Sequence, residues 1–284
     1  MHRSILTEQI KQKGTYLCVG LDTDLTKIPK HLQKHPNAVV EFNKAIIDAT
    51  IDHCVGYKIN TAFYEAMGIK GWQAMEETVA HIPSTHLKIA DAKRGDIGNT
   101  SSQYAKAFFE TIPFDAITVA PYMGEDSIRP FLEYENKWTI VLGLTSNLGA
   151  RDFEMLKLIN DSVNNITEEE TTSLRNEFLY ENVLKKVASW GTPNNLMFVV
   201  GATQATEFTN IRNIIPQHFL LVPGIGFQGG SLKEISLNAM NQDCGILVNA
   251  SRAIIYAGMD ENFAAEAKAI ATQYHTEMKL YLKK

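Results

Sequence analysis

The chain has 284 residues, 45% hydrophobic and 21% charged, a globular balance that excludes a disordered, fibrous or linker-dominated protein. With 27 basic against 32 acidic residues the net charge is −5, so no basic field is available for counterion-driven binding to nucleic acid, and an anionic ligand needs positive charge gathered locally. No stretch approaches the roughly 18 apolar residues of a membrane span, and Glu8 and Lys11 interrupt the opening segment, so neither a spanning helix nor a secretory leader is expected.

Tyr16–Asp22 is the first strand-length apolar run. A helix-period segment over Ala38–Asp52 leads to a second run at Cys54–Asn60, and another over Thr61–His81 leads to a third at His86–Lys93. Ser101–Thr111 reads as helix before the runs Ala116–Tyr122 and Trp138–Thr145. The stretch from Ala150 to Asn195 exceeds what one crossover requires. Within it, Asn160–Glu170 reads as a polar turn with a capped helix start, and Glu177–Trp190 as helix. Three further runs follow, Leu196–Ala202, His218–Gly226 and Cys244–Arg252. Near-continuous apolarity suits parallel strands buried on both faces, and the intervening helices supply the crossovers.

Eight such runs predict an α/β fold, a (β/α)8 TIM barrel with a helical insertion after the fifth strand; an open doubly wound sheet is the competing arrangement. No repeat or low-complexity block divides the sequence, so residues 1–284 read as a single domain, with the insertion over roughly 150–195. Cys18, Cys54 and Cys244 lie inside apolar runs and cannot pair completely, which fits buried thiols in a reducing cytoplasm.

In parallel α/β folds ligands meet the carboxyl ends of the strands. The first run ends at Asp22, the second at Lys58-Ile-Asn60, the third at Asp91-Ala-Lys93-Arg-Gly-Asp96, the fifth at Thr145-Ser146-Asn147 and the eighth at Ser251-Arg252. Asp91 and Lys93, two apart on a strand, share a face. A lysine between carboxylates is kept as ammonium and can protonate a carbanion forming beside it; on an ordinary loop the same Asp-x-Lys-x-x-Asp would be a solvated ion pair. Pro223-Gly-Ile-Gly-Phe-Gln-Gly-Gly230 followed by Arg252 suggests a phosphate site, since glycine lets backbone amides approach an anion and arginine adds a bidentate contact. Gly224-x-Gly226-x-x-Gly229 also matches a dinucleotide fingerprint, but its position late in the chain, with no acid ending the next strand, argues against it. His31 and His35 lack a zinc-protease glutamate between them and read as solvent-facing; Ser146 has no histidine tied to it, so triad chemistry is unsupported.

Taken together, Cys18-Val-Gly-Leu-Asp22, Tyr57-Lys-Ile-Asn60, Asp91-Ala-Lys-Arg-Gly-Asp-Ile-Gly-Asn-Thr100, Thr145-Ser-Asn147, Pro223-Gly-Ile-Gly-Phe-Gln-Gly229 and Asn249-Ala-Ser-Arg252 resemble the orotidine 5′-phosphate decarboxylases, in their longer-chain bacterial branch. The resemblance implies a cytoplasmic enzyme making uridylate, with no cofactor and no metal. It makes Lys93 the proton donor to pyrimidine C6, and Lys58, Asp91 and Asp96 the rest of an alternating Lys-Asp-Lys-Asp set. Asp22 and Lys58 would hold ribose hydroxyls, Ser146 the pyrimidine edge, and Gln228 and Arg252 the phosphate, with Ser251 also binding the substrate. It further implies a homodimer in which Asp96 and Thr100 enter the partner's site. Leu148 stands where related sequences often carry proline.

Three rivals are weighed on the residues. Metal-dependent hexulose- or ketogulonate-phosphate enzymes of the same barrel type carry an acid where Lys58 stands, to hold Mg²⁺. A Schiff-base aldolase needs a neutral lysine, which flanking acids oppose. A non-catalytic nucleotide-binding barrel leaves a buried charge alternation without a purpose.

Overall fold

The structure is a computed structural model and describes residues 1–158, 177–225 and 229–282. In chain order its strands are β1 (Leu17–Gly20), β2 (Gly56–Asn60), β3 (Leu87–Arg94), β4 (Ala116–Val119), β5 (Trp138–Leu144), β6 (Lys157–Leu158), β7 (Glu177–Phe178), β8 (Leu196–Val200), β9 (Phe219–Pro223) and β10 (Ile246–Ala250). All but β6 and β7 pair in parallel and close a barrel in the order β1-β2-β3-β4-β5-β8-β9-β10, with β10 returning to β1. The eight apolar runs are thus the eight barrel strands, and the open doubly wound sheet is excluded by the β10–β1 pairing at Leu17↔Val248. Every residue of β1, β4, β8 and β10 is buried, as strands covered on both faces require.

The helices follow the predicted periodicity, with adjustments at their ends. Ala38–Thr50 buries Val39, Phe42, Asn43, Ile46, Ile47 and Thr50 on one face. The continuous helix expected over Thr61–His81 is two, Thr61–Glu65 and Ile69–His81, parted at Gly68, whose φ of +63° few side chains tolerate. Gly71 then passes so near the first of these that a Cβ would lie 1.7 Å from the Tyr64 carbonyl oxygen. The helix expected from Ser101 begins at Gly98 and ends in a π-turn at Ala107–Thr111.

The insertion leaves the barrel after β5. A 3-10 turn at Leu148–Asp152 leads into an antiparallel ribbon of β6 and β7, and the helix Leu179–Ala188 leads back toward β8. Glu177 and Phe178, expected to be helical, are strand; Glu181 caps the helix that follows by accepting the Phe178 amide at 2.6 Å. The predicted turn and helix start at Asn160–Glu170 lie outside the described residues.

The opposite end of the barrel is sealed by the helix Arg3–Lys13. Arg3 spans the strand entrances, donating to the carbonyls of Pro193 (2.6 Å) and Gln217 (2.7 Å) and pairing with Asp243 (3.1 Å). Cys18, Cys54 and Cys244 are buried free thiols, and burial pushes Cys54 up to about 11 and Cys244 up to about 12. No helix among the described residues is long and apolar enough to cross a membrane.

Candidate active site

Charge collects where β1, β2 and β3 end together. Register places Lys58 beside Gly20 and Ile89, and Asn60 beside Asp91, so the acids of the first and third strands flank the lysine of the second. Lys58 Nζ lies 2.8 Å from Asp91 Oδ2 and 3.4 Å from Asp22 Oδ1, and Lys93 Nζ lies 2.5 Å from Asp91 Oδ1. The order is therefore Asp22–Lys58–Asp91–Lys93, with Asp91 shared. Burial alone would drive Lys58 toward neutrality, but Asp91 and Asp22 outweigh it and hold the ammonium well above the usual lysine range. Burial would likewise raise Asp91; Lys58 and Lys93 prevail and hold its carboxyl well below the usual carboxylate range. The Lys58 side chain is 4% exposed and that of Lys93 51%. One ammonium is thus almost covered where it lines the cavity, while the other stands half exposed at the mouth.

Lys93 reaches this place by a route that alternation alone does not give. Between Ala90↔Ile117 and Arg94↔Val119 the register shifts, four steps of β3 answering two of β4, and Lys93 sits at φ +48°. Such a conformation in a residue with a Cβ costs about 1 kcal/mol or more and persists only where the surroundings enforce it. Here the Lys93 amide donates to Thr118 Oγ1 (2.9 Å) and the Thr118 hydroxyl donates to Asp91 Oδ1 (3.1 Å). On the far side, Arg94 is pinned between the rings of Tyr104 and Phe108, each 5.3 Å away, and pairs with Glu65.

Asp22 is positioned through its backbone. Tyr64 donates to the Leu21 carbonyl at 3.0 Å, and Tyr256 donates to the Asp22 carbonyl (3.1 Å) while accepting the Asp24 amide (2.8 Å). Behind them the buried Asn43 joins Thr23, Tyr64 and Thr78. Thr118, Tyr64, Tyr256 and Asn43 escape a reading of strand ends. The only hint they give is a polar group inside an apolar stretch.

Across the mouth, Asp22, Lys58 and Asp91 share a cavity of 170 Å³ with Ser146, Pro223, Gly224, Asn249, Ser251 and Arg252. Of the predicted substrate-binding residues, Ser146, Ser251 and Arg252 thus lie across the same cavity from the lysine network. Asn249 Oδ1 and Ser251 Oγ are buried and meet no hydrogen-bonding protein group among the described residues, as expected of atoms facing a ligand or solvent. Asn249, quoted in the last of the motifs without a role of its own, is the single polar residue of β10. Gly20 and Gly201 allow these loops to close in: a Cβ on Gly20 would lie 2.6 Å from Ser251 Cβ, and one on Gly201 2.7 Å from the Ser146 amide nitrogen. Glu154 reaches from the insertion to accept the Thr145 amide (2.7 Å) and hydroxyl (2.9 Å), and Gln204 donates to the Thr145 carbonyl (2.9 Å).

Asp96 and Thr100 stand apart from this group. The Asp96 carboxylate accepts the Ile97 amide at 2.8 Å, and Thr100 lies exposed on the helix Gly98–Lys106. Gln228 lies outside the described residues. His31 and His35 are exposed. The Gly224–Gly229 pattern follows a strand of a closed barrel, not the crevice of an open sheet. Wider hollows of 460 and 480 Å³ occur at the other barrel end around Arg3, Asn194 and Asp243, away from the strand ends where the charges alternate.

The orotidine 5′-phosphate decarboxylase / HUMPS family matches residues 15–269. An orotidine 5′-phosphate decarboxylase of Bacteroides fragilis is 52% identical over 100% of this chain and 99% of its own, and one of Flavobacterium johnsoniae is 55% identical over 96% and 95%. Among solved structures, the OMP decarboxylase of Leishmania donovani superposes with a TM-score of 0.80 at 33% identity, covering 99% of this chain and 100% of that one. A putative orotidine-monophosphate decarboxylase of Toxoplasma gondii gives 0.82 at 30% identity, covering 98% and 96%. With its barrel, its charged mouth and these full-length relatives, the chain belongs to the orotidine 5′-phosphate decarboxylase / HUMPS family.

Proposed function

We propose that the chain decarboxylates orotidine 5′-phosphate to uridine 5′-phosphate, a step of pyrimidine biosynthesis, with Lys93 as proton donor and without a cofactor. The observation that carries the reading is the Asp22–Lys58–Asp91–Lys93 alternation at the mouth of the barrel. In the reaction the C6–carboxylate bond breaks, its electron pair stays on C6, and CO₂ leaves. The Lys93 ammonium transfers a proton to that carbanion and is reprotonated from solvent. Asp91, fixed as an anion, faces the departing carboxylate with like charge, while the ammonium beside it favours the charge that develops on C6. Asp22 and Lys58 hold ribose hydroxyls, Ser146 the pyrimidine edge, and Ser251, Arg252 and Gln228 the phosphate.

The active unit in this reading is a cytoplasmic homodimer of single-domain chains, residues 150–195 being an insertion in the barrel. Asp96 and Thr100 complete the partner's site. Support comes from Asp96 joining no ion pair among the described residues, and from the exposed apolar side chains of Ile97 (54%), Tyr122 (91%) and Met123 (44%), which a second copy would cover.

Lys58 argues against the metal-dependent sugar-phosphate chemistry weighed on the sequence, since a buried ammonium between Asp22 and Asp91 repels a divalent cation. The same raised lysine opposes Schiff-base formation, which requires a free amine. Loss of orotidine 5′-phosphate absorbance on adding the protein, with and without EDTA, tests the reading. EDTA-insensitive conversion to uridylate is expected; a folded sample that leaves the nucleotide unchanged, or requires Mg²⁺, contradicts it.

A further inference from the structure

Thr118 is buried at the end of β4, and its hydroxyl is used twice. It accepts the Lys93 amide at 2.9 Å and donates to Asp91 Oδ1 at 3.1 Å, the same oxygen that Lys93 Nζ approaches at 2.5 Å. These contacts form a ring that runs from the Lys93 amide through the Thr118 hydroxyl and the Asp91 carboxylate back to the Lys93 ammonium. The ring spans the register shift of β3 on β4, where Lys93 holds φ +48°. Burial alone does not engage a threonine hydroxyl in this barrel: Thr139 on the adjacent β5 is equally buried, and its Oγ1 has no partner among the described residues.

We propose that Thr118 is a positioning residue for proton transfer, its hydroxyl fixing both the backbone of Lys93 and the carboxylate of Asp91 so that the ammonium is held over the reacting carbon. The inference rests on the decarboxylase reading above. The physical reason is that Asp91 has donors assigned to both oxygens, Lys58 on Oδ2 and Thr118 with Lys93 on Oδ1. Removing the hydroxyl frees the carboxylate to rotate, and with it the ammonium that follows. Lys93 also loses the acceptor for its amide, so the left-handed turn that re-aims its side chain is no longer enforced. Substrate affinity, which in that reading rests on Asp22, Lys58, Ser146, Ser251 and Arg252, is largely spared, since Thr118 bonds to Lys93 and Asp91.

Thr118→Val keeps shape and volume and removes only the hydroxyl, whereas Thr118→Ser keeps the hydroxyl. The expected result is a kcat for Thr118→Val lower by about 30-fold, within the range that a misplacement of an ångström produces, with KM changed by less than about 3-fold and Thr118→Ser within about 3-fold of the parent. Amide hydrogen exchange at Lys93 gives a readout independent of turnover: protection is lost in Thr118→Val and kept in Thr118→Ser. Parent-like kcat in a Thr118→Val protein overturns the positioning role while leaving the decarboxylase reading intact. Unchanged Lys93 protection in Thr118→Val overturns the anchoring even if the parent protein fails to turn over orotidine 5′-phosphate.

Discussion

At the residue scale the site depends on which charges water can reach. Lys58 and Asp91 stabilise each other out of solvent, so Asp91→Asn strips the buried Lys58 of its closer partner. A stability loss of about 2 kcal/mol is expected by denaturant titration, below the usual cost of breaking a buried pair because Asp22 still faces the lysine. The sign of the pH dependence follows from the two shifts. Asp91 is lowered from an ordinary 3.8, so its contribution is present above that pH and is lost as pH falls through its folded value. Lys58 is raised from 10.5, so its contribution is complete below 10.5 and is lost as pH rises through its folded value. The network should thus leave stability flat between those limits. His218 has the same sign as Asp91 but acts within that flat interval. Packed edge-on against Phe198 at 5.4 Å, with neither ring nitrogen meeting a hydrogen-bonding group among the described residues, it is lowered by burial from 6.5 to about 4. A neutral buried imidazole stabilises the fold above pH 6.5 and loses that contribution as pH falls toward 4. His218→Leu should therefore gain relative to the parent over this interval, by up to about 3 kcal/mol. Parallel unfolding curves for the two proteins from pH 7 to pH 4 would contradict the assignment.

At the element scale, the sequence foretold what continuous burial and strand-end polarity encode. All eight barrel strands, the place of the insertion, and the convergence of Asp22, Lys58, Asp91, Lys93, Ser146, Ser251 and Arg252 on one mouth were readable, because each functional group caps an apolar run. What stayed hidden depends on partners distant in sequence. The Lys93 turn is set by Thr118 on the next strand, and Asp22 by tyrosines 42 and 234 positions away. The break at Gly68 reflects contact between two helices that a periodicity window merges. The insertion likewise shows its use only in three dimensions: Glu154 grips the Thr145 turn that carries Ser146. Glu154→Ala should loosen that turn, raising KM for the nucleotide about 10-fold with kcat within about 3-fold, since two hydrogen bonds to a carboxylate are lost away from the reacting carbon. A selective fall in kcat would show that the turn acts on the chemistry itself.

At the scale of the whole molecule, the aspartate that ends the Asp-x-Lys-x-x-Asp motif accepts the Ile97 amide and joins none of the ion pairs among the described residues. If Asp96 serves the partner, then Lys93→Ala and Asp96→Ala proteins, each inactive alone, should recover activity after co-refolding. Half of the dimers would be hybrids with one intact site in two, giving about a quarter of the parent rate. No recovery from a mixture shown to exchange subunits would place Asp96 in its own chain's site or outside catalysis.

In the proposed reaction the exposed ammonium of the alternation, not the buried one, delivers the proton. The most direct test is Lys93→Ala, assayed for both turnover of orotidine 5′-phosphate and binding of uridine 5′-phosphate. The expected protein is folded, binds uridylate within about 10-fold of the parent and has lost on the order of 10³-fold or more in kcat, as removal of a positioned acid implies. A Lys93→Ala protein with near-parental turnover would contradict that role of Lys93.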